Sequence, residues 1–486
     1  MKFLMLAGML LGSSVLAEKP DMLLIMPDQM RGDCLSILGH PVVQTPQLDE
    51  LARQGTLFRR AYSTVPSCIP ARFALLTGLA PQTSGSVGFA APPITTPTLP
   101  GSLADAGYAT VLVGRNMHQG AKSGTCGYQK QFLGSTYVSD DDYDEHLKKT
   151  APESGGIRNV ITTLKLNSNR WPAAPWPYAD ELHPTAWVVQ QSRQVMRETP
   201  AGQPLFLTAS FYAPHPPLFP PKKFFDALLK KDLPPVARGD WVDWKALSPS
   251  GDKQGHRIRL EGDTLRRAQA GYFGLIEHID EQVGPLISEF KARSEKAGRP
   301  WVIVVTTDHG EMLGDHGYFR KCEPYEGSAN IPFIIAGSPS LGFKPGTRND
   351  QPVCLEDIMP TLLELANAKT PKAVDGLNLA PALRGDGRVP REWLHFEHAP
   401  CYSKEQAFHA LTDGHFKYIW RPEDGTEQLF DLDKDPHEER NLSKTPAVEL
   451  WRQRLVKRLA GRPEGFSDGQ RLIAGRPYPA LQKKQL

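Results

Sequence analysis

The amino-acid sequence predicts an α/β fold, in which a doubly wound, mostly parallel sheet is followed by a smaller C-terminal α+β subdomain. Short runs of consecutive apolar residues, typical of strands buried on both faces, alternate with helical patterns over most of the chain. After about residue 385 the pattern changes to two strands around a tight turn. A chain of 486 residues can bury a core for both units. We therefore expect a main domain over residues 18–385 and a subdomain over residues 386–486.

Apolar runs place the strands of the main sheet. The predicted strands are, in chain order, residues 22–26, 109–114, 205–211, 301–305 and 331–336. Residues 121–200 and 219–260 are less regular, and we expect insertions made of loops there. In the subdomain, residues 416–420 and 427–432 flank a Glu-Asp-Gly turn, which predicts an antiparallel hairpin.

Proline positions and apolar stripes place the helices. Proline suits the first helical position, so Pro46 and Pro70 predict the starts of two helices. A long helix is predicted over residues 265–283, where apolar residues recur at helical spacing. Another is predicted over residues 355–366 and interrupted at Pro360.

Composition limits the classes of partner. The formal net charge is +2, and 23% of the residues are charged. Basic residues do not form blocks interleaved with aromatic ones, so we expect no nucleic-acid partner. A hydrophobic content of 40% is ordinary for a soluble globular protein.

Residues 1–17 have the pattern of a signal peptide. Lys2 precedes an apolar run over residues 3–11, and small residues lead to Ala17. The run is too short to span a bilayer, and no cysteine follows it closely, so we expect no stable membrane anchor. These features predict export to the periplasm or the extracellular space. The alternative is a short buried N-terminal helix.

Cys68 precedes a predicted helix in the segment Cys-Ile-Pro-Ala-Arg-Phe-Ala-Leu-Leu-Thr-Gly, with Arg72 one turn further on. The free N–H groups of the first turn and the Arg72 guanidinium would face the Cys68 side chain. A nucleophile beside fixed positive charge suits attack on an anionic ester. Alternatively, such a cysteine is a small buried hydrophobe or half of a disulfide. The six cysteines include no Cys-x-x-Cys pair, so no zinc site is indicated.

Polar pairs follow two predicted strands, Asp28-Gln29 after the first and Asp308-His309 after residues 301–305. In an α/β sheet, ligands bind beyond the carboxyl ends of the strands. Carboxylate and amide oxygens suit a hard divalent cation, most simply Ca²⁺. An isolated aspartate at such a position is more often a helix cap or a loop residue.

The segment from Cys68 to Gly78 resembles the signature of the type I sulfatases, which have an alkaline-phosphatase-like fold. The Leu-Phe-Asp-Leu and Asp-Pro phrases over residues 429–436 are similar to the C-terminal domain of that family. The resemblance implies that a separate maturation enzyme oxidises Cys68 to formylglycine, whose hydrate is the nucleophile, and that Arg72 supports it. Conversion of Cys68 would leave five cysteines, hence at least one free thiol.

The same resemblance implies one divalent metal ion. Its ligands would be Asp28, Gln29, Asp308 and His309, together with the modified side chain of Cys68. Gln29 replaces the commoner second aspartate of the sulfatases. This variant also occurs in phosphonate monoester hydrolases of the superfamily, and it removes one negative charge from the site.

Four further catalytic residues follow from the resemblance. Lys321 would bind the sulfate and assist the leaving oxygen, although Arg320 is a local competitor for that role. His215, in a Pro-His-Pro turn, would contact the sulfate and protonate the leaving group. His118 would deprotonate the sulfated hemiacetal. Arg115 stands where the family has lysine, but one extra residue separates it from the histidine, and it can instead pair with a nearby carboxylate.

The implied function is that of a sulfuric ester hydrolase acting on a sulfated carbohydrate. One alternative is a phosphonate monoester or phosphodiester hydrolase of the same superfamily, because Gln29 and His309 fit both enzymes. Another is a non-catalytic protein that binds sulfated glycans on an inactive fold. Specificity would lie in the two insertions and in C-terminal residues such as Glu397, His398 and His409, whose alternative interpretation is ordinary surface polarity.

Overall fold

The strands and helices below come from a computed structural model, which describes residues 18–117, 124–136 and 138–482. The strands are β1 (Asp21–Asp28), β2 (Gly55–Phe58), β3 (Ala61–Tyr62), β4 (Ala109–Gly114), β5 (Lys130–Leu133), β6 (Leu205–Pro214), β7 (Trp301–Thr306), β8 (Phe333–Gly337), β9 (Thr347–Asn349), β10 (Val353–Cys354), β11 (Leu394–His398), β12 (Phe408–Thr412), β13 (Phe416–Trp420) and β14 (Glu427–Asp431).

The α-helices lie between and beside these strands. They are α1 (Pro46–Gln54), α2 (Cys68–Thr77), α3 (Pro81–Ser84), α4 (Leu99–Asp105), α5 (Asp142–Thr150), α6 (Ile157–Thr163), α7 (Pro184–Glu198), α8 (Lys222–Leu228), α9 (Gly262–Lys296), α10 (Glu326–Ala329), α11 (Ile358–Leu365), α12 (Ala380–Arg384) and α13 (Val448–Leu459). The predicted signal peptide and His118 lie outside the described residues.

The main sheet has the strand order β5-β4-β6-β1-β7-β8-β2-β9. Strand β1 is central and pairs in parallel with both β6 and β7. Strand β8 is antiparallel to its neighbours β7 and β2, and the other pairs are parallel. The predicted α/β fold with a mostly parallel sheet is therefore confirmed.

Two hydrophobic cores cover the two faces of the sheet. Leu23 and Ile25 of β1 pack into the core formed with α1, α7, α8 and α9. Met22 and Leu24 point the other way, into the core formed with α2, α4, α11 and α12. Burial on both faces explains why β1 has no polar residue between Met22 and Met26.

The interpretation of residues 121–200 as loops is wrong. Strand β5 extends the main sheet beside β4, and helix α7 packs against β6 and α9. The prediction failed because Lys130–Leu133 is a short, partly exposed edge strand without an apolar run. Residues 219–260 also contribute to the core, through Phe225 and Leu228 of α8.

Two helix boundaries also differ from prediction. Helix α9 extends over 35 residues and includes Pro285, so it is longer than its apolar stripe indicated. Pro360 does not interrupt α11 but lies in its first turn, where no N–H partner is needed. For the same reason Pro70 is tolerated in α2, which begins two residues earlier than predicted.

The C-terminal unit contains an antiparallel sheet in the order β11-β12-β13-β14, and α13 packs on β12 and β13. The predicted hairpin is its β13–β14 pair. A subdomain with an antiparallel sheet is thus confirmed, whereas its boundary at residue 385 stays a prediction. In the described part of the chain, no helix combines the length and apolar character needed to cross a bilayer.

Candidate active site

The candidate active site lies beyond the carboxyl ends of three adjacent strands. Asp28 is the last residue of β1, Asp308 and His309 closely follow β7, and His215 follows β6. Because the sheet order is β6-β1-β7, residues far apart in the chain meet at one edge. This is where α/β sheets place their ligands.

Helix α2 presents Cys68 to this edge from its first turn. The Cys68 sulfur lies 2.8 Å from Lys321 Nζ, 3.1 Å from His309 Nε2 and 3.9 Å from Asp28 Oδ1. The side chain is almost fully buried, at 2% exposure. Burial and the nearby Asp28 raise the pKa of the Cys68 thiol to about 11, so the unmodified side chain is a neutral thiol.

Arg72 joins the two aspartates. Its Nη2 donates to Asp28 Oδ2 at 2.7 Å, and its Nε donates to Asp308 Oδ2 at 2.9 Å. All three side chains are completely buried. Both Oδ2 atoms are thereby engaged by the arginine. Arg72 therefore holds both carboxylates in place, and it lies one turn from Cys68 on the same helix.

Arg115 also binds a predicted metal ligand, with Nε 2.7 Å from Asp28 Oδ2. Arg115 therefore pairs with a carboxylate, as the alternative interpretation of this residue expected. Burial opposes ionisation of Asp28, but the charges of Arg115 and Arg72 outweigh it and hold the pKa of this carboxyl well below its usual range.

The donor set fits a divalent cation. Ligand atoms of Asp28, Cys68, Asp308 and His309 all lie within 4.8 Å of one another, and all four residues are buried. His309 donates from Nδ1 to the Gly310 carbonyl at 2.9 Å, which leaves Nε2 with a free lone pair facing the cluster. Burial lowers the pKa of His309 and so favours the neutral form that a metal requires.

Gln29 turns its amide oxygen toward the same point. Its Oε1 accepts a hydrogen bond from Lys321 Nζ at 3.0 Å, and its Nε2 donates to Glu311. The Lys321 ammonium can only donate, so it fixes which end of the amide faces the site, while Glu311 accepts from the other end. The arrangement is compatible with the predicted role of Gln29 as a metal ligand.

Lys321 faces the centre of the site, whereas Arg320 faces away. Lys321 Nζ donates to His215 Nε2 at 3.1 Å, in addition to its contacts with Cys68 and Gln29. Burial disfavours its charge, but Cys68 and Asp28 outweigh this and raise the pKa of Lys321. Arg320 instead donates to the Gln254 carbonyl and lies over the ring of Tyr402.

His215 is oriented by its own loop. Its Nδ1 donates to the Pro216 carbonyl at 2.7 Å, so Nε2 is the nitrogen that meets Lys321. Burial and the charges of Lys321 and Arg115 lower the pKa of His215, which favours the neutral imidazole in this environment.

Sequence reasoning missed the residues that support Gln29. The backbone of Gln29 is left-handed, with φ 66°, which is uncommon outside glycine. The Tyr272 hydroxyl donates to the Gln29 carbonyl at 2.6 Å, and the Gln29 N–H donates to Asp308 Oδ1 at 3.1 Å. Glu311 is fully buried and also accepts from the N–H groups of Leu313 and Arg320. The one available signal was an acidic residue three positions after Asp308.

The C-terminal candidates for specificity are not surface residues. Glu397, His398 and His409 are all fully buried. Glu397 accepts two hydrogen bonds from Arg462, at 2.9 and 2.7 Å, and one from Tyr478. Of these three residues, only His398 contacts a residue next to the site. It shares a 2.7 Å hydrogen bond with Ser67, the residue before Cys68.

The fold and the buried cluster define a hydrolase of the alkaline-phosphatase-like class, and comparisons with known proteins agree. The family model described as Sulfatase matches residues 20–368, and the one described as N-sulphoglucosamine sulphohydrolase, C-terminal, matches residues 314–464. The chain is 36% identical over 485 residues to an "Arylsulfatase" of Clostridium perfringens, covering 96% of this chain and 99% of the relative.

Two further comparisons also cover most of the chain. The chain is 29% identical over 452 residues to a "Choline-sulfatase" of Rhizobium meliloti, covering 88% of this chain and 83% of the relative. A solved phosphonate monoester hydrolase, SpPMH from Silicibacter pomeroyi, superposes with a TM-score of 0.73 at 26% identity, covering 91% and 95% of the two chains. This chain belongs to the sulfatase family and is an enzyme, so the non-catalytic alternative is set aside.

We predict that Glu311→Ala weakens the site without removing a ligand. Loss of the acceptor frees the Gln29 amide to rotate, so we expect a fall of about 10- to 100-fold in the affinity for a divalent cation or in kcat/KM for sulfate release. Titration with divalent cations and steady-state kinetics measure the two quantities. Glu427→Ala is the matched control, because this carboxylate binds Arg452 of α13, outside the site. Wild-type values of both quantities for Glu311→Ala would refute the positioning role.

Proposed function

We propose that this enzyme removes sulfate from a sulfated carbohydrate by means of a formylglycine formed from Cys68. Membership of the sulfatase family makes sulfate ester hydrolysis its reaction. The observation that carries the finer proposal is the convergence of Lys321 Nζ and His309 Nε2 on the Cys68 sulfur, at 2.8 and 3.1 Å. The sulfur marks the position at which the converted side chain would carry its oxygen atoms.

Two groups, the formylglycine formed from Cys68 and a divalent cation, would supply the chemistry that the unmodified side chains lack. The aldehyde hydrate of formylglycine supplies one hydroxyl for attack on sulfur and a second whose deprotonation lets sulfate depart. A divalent cation, which we propose to be Ca²⁺, would be held by Asp28, Gln29, Asp308, His309 and the converted Cys68, and it would draw charge from a sulfate oxygen. A separate maturation enzyme would perform the conversion.

The remaining steps belong to the side chains. Arg72 keeps the two aspartates in place through their Oδ2 atoms. The positive charges of Lys321 and Arg115 favour an anionic substrate at this edge of the sheet. Lys321 and His215 share a hydrogen bond, so this pair can deliver a proton to the leaving oxygen. His118 stays the proposed base for release of sulfate, and it lies outside the described residues.

A carbohydrate is the proposed substrate class on two grounds. Residues 314–464 match a family model named for an N-sulphoglucosamine sulphohydrolase. The signal-peptide pattern of residues 1–17 supports export to the periplasm or beyond, where sulfated polysaccharides and glycoproteins occur.

A phosphonate monoester or phosphodiester hydrolase is the second candidate. Gln29 in place of the commoner aspartate is compatible with it, because the resemblance noted above extends to phosphonate monoester hydrolases that have the same variant. The 26% identity to a solved phosphonate monoester hydrolase points the same way.

We predict that conversion of Cys68 determines activity. When the chain is produced with a formylglycine-generating enzyme, mass spectrometry of the peptide that contains residue 68 should detect the aldehyde. Cys68→Ala should lower kcat/KM by more than about 10³-fold, because the nucleophile is lost. Cys126→Ala is the matched control, since it removes another buried cysteine. Full activity in protein that carries only the thiol would contradict the mechanism.

We also predict which substrate class is preferred. Sulfate release from defined sulfated mono- and oligosaccharides should exceed, in kcat/KM, cleavage of aryl phosphonate monoesters and aryl phosphodiesters. The panel includes the matched aryl sulfate and choline sulfate, so that leaving-group reactivity and sugar recognition are separated. A higher kcat/KM for the phosphodiester or the phosphonate would replace the first proposal with the second candidate.

A further inference from the structure

Glu323 is a fully buried carboxylate that the catalytic proposal does not use. It lies two residues after Lys321, the lysine proposed to assist the leaving oxygen. Its Oε2 accepts from Arg421 Nη2 at 3.0 Å, and its Oε1 lies 3.0 Å from His256 Nε2. His256 belongs to residues 219–260, and Arg421 directly follows β13 of the C-terminal unit. Glu323 therefore joins three parts of the fold that are far apart in the chain.

The backbone around Lys321 has an uncommon conformation. Arg320 and Cys322, the residues on either side of it, are both left-handed, with φ of 74° and 69°. Residues other than glycine rarely adopt this region, and they persist there only where surrounding contacts hold them. Lys321 Nζ lies 2.8 Å from the Cys68 sulfur and 3.1 Å from His215 Nε2. The position of this nitrogen thus depends on the contacts that hold the loop.

His256 holds the part of the loop that precedes Lys321. Its Nδ1 donates to the Phe319 carbonyl at 2.9 Å, and the Phe319 N–H donates to the His256 carbonyl at 2.8 Å. Both bonds fix the residue two positions before Lys321. Because Nδ1 is engaged in this way, Nε2 is the nitrogen that faces Glu323. The imidazole is 2% exposed, so bulk water does not compete for these contacts.

Arg421 and Gln406 hold the same loop from the C-terminal unit. Arg421 Nη1 donates to the Gln406 carbonyl at 2.8 Å, and Gln406 Nε2 donates to the Lys321 carbonyl at 3.3 Å. Burial opposes ionisation of Glu323, but the charge of Arg421 and the hydrogen bond with His256 outweigh it and lower the pKa of this carboxyl. Glu323 thus provides the negative charge that keeps both of its partners in place.

We propose that Glu323 is a positioning residue for Lys321. Through His256 and Arg421 it holds the loop on both sides of the lysine, and so it keeps Lys321 Nζ directed at the leaving oxygen. The inference rests on the proposed function, in which Lys321 assists departure of that oxygen. Glu323 acts on the reaction through Lys321 and has no chemical step of its own.

The expected consequence is a change in how strongly the rate depends on the leaving group. A displaced lysine gives less help to a poor leaving group, whereas an activated leaving group needs little help. Loss of the Glu323 charge should therefore slow unactivated substrates more than activated ones. A general structural defect would instead lower the rates of all substrates alike.

The test compares nitrophenyl sulfate, which has an activated leaving group, with phenyl sulfate, which does not, in the full-length enzyme. Glu323→Gln should lower kcat/KM for phenyl sulfate by about 10-fold or more, and that for nitrophenyl sulfate much less. Lys321→Ala should change the ratio of the two values in the same direction, and adding Glu323→Gln to it should change the ratio no further. The matched control is Asp21→Asn, which should keep the wild-type ratio, because this buried carboxylate binds Arg293 at the start of β1, the end opposite the site.

A second variant keeps the test decisive if Glu323→Gln does not fold. Gln406→Met has a side chain of similar length but removes the bond to the Lys321 carbonyl, so it should change the ratio in the same direction. All rates are normalised to the folded fraction and to the formylglycine content at residue 68, measured by circular dichroism and mass spectrometry.

A wild-type ratio in Glu323→Gln, or in Gln406→Met if the first variant does not fold, would overturn the inference. A further change of the ratio when Glu323→Gln is added to Lys321→Ala would overturn it as well, because Glu323 would then act independently of the lysine. A wild-type ratio in Lys321→Ala would refute the proposed role of the lysine together with this inference. The Lys321→Ala result therefore distinguishes failure of the proposed function from failure of the positioning role alone.

Discussion

The buried bridge from Arg72 to Asp28 and Asp308 is the interaction on which the rest of the site depends. Burying a guanidinium and two carboxylates is costly unless each finds a charged partner in good geometry. Here Arg72 donates to both carboxylates at 2.7 and 2.9 Å, and all three side chains are inaccessible to solvent. Removing any one of them would leave uncompensated buried charge, so the three groups are fixed as a unit.

This bridge connects a helix to a sheet. Asp28 ends β1, Asp308 follows β7, and Arg72 lies one turn into α2. Because Cys68 is on the same helix, fixing Arg72 also fixes the position of the Cys68 sulfur relative to both strand ends. The proposed nucleophile and the candidate metal ligands are therefore aligned by a charge network and not by a flexible loop.

The C-terminal unit completes the site from the other side. His398, at the end of β11, hydrogen-bonds Ser67 at 2.7 Å, and Gln406 donates to the Lys321 carbonyl. The start of α2 and the loop of Lys321 are thus both supported by residues that follow the main sheet in sequence. The antiparallel sheet unit therefore helps to hold two segments of the candidate site.

The sequence predicted those features of the fold and the site that depend on local residue patterns. Buried parallel strands require consecutive apolar residues, and the carboxyl ends of such strands located Asp28, Asp308 and His309. Lys321 and His215 came from resemblance to the sulfatases, and their side chains do meet, at 3.1 Å. The contact between Glu311 and Gln29 could not be predicted from local pattern, because the two residues are 282 positions apart in the chain. Strand β5 was missed because a short edge strand needs no apolar run.

The most direct test of the account is kcat/KM for sulfate release by Arg72→Lys, corrected for the folded fraction. Lysine keeps the positive charge but cannot donate to two carboxylates in a fixed fork. If the bridge organises the site, kcat/KM should fall by about 10- to 100-fold or more although the charge is conserved. A value near wild type would contradict the account, because it would mean that positive charge alone, without the bridge, is sufficient.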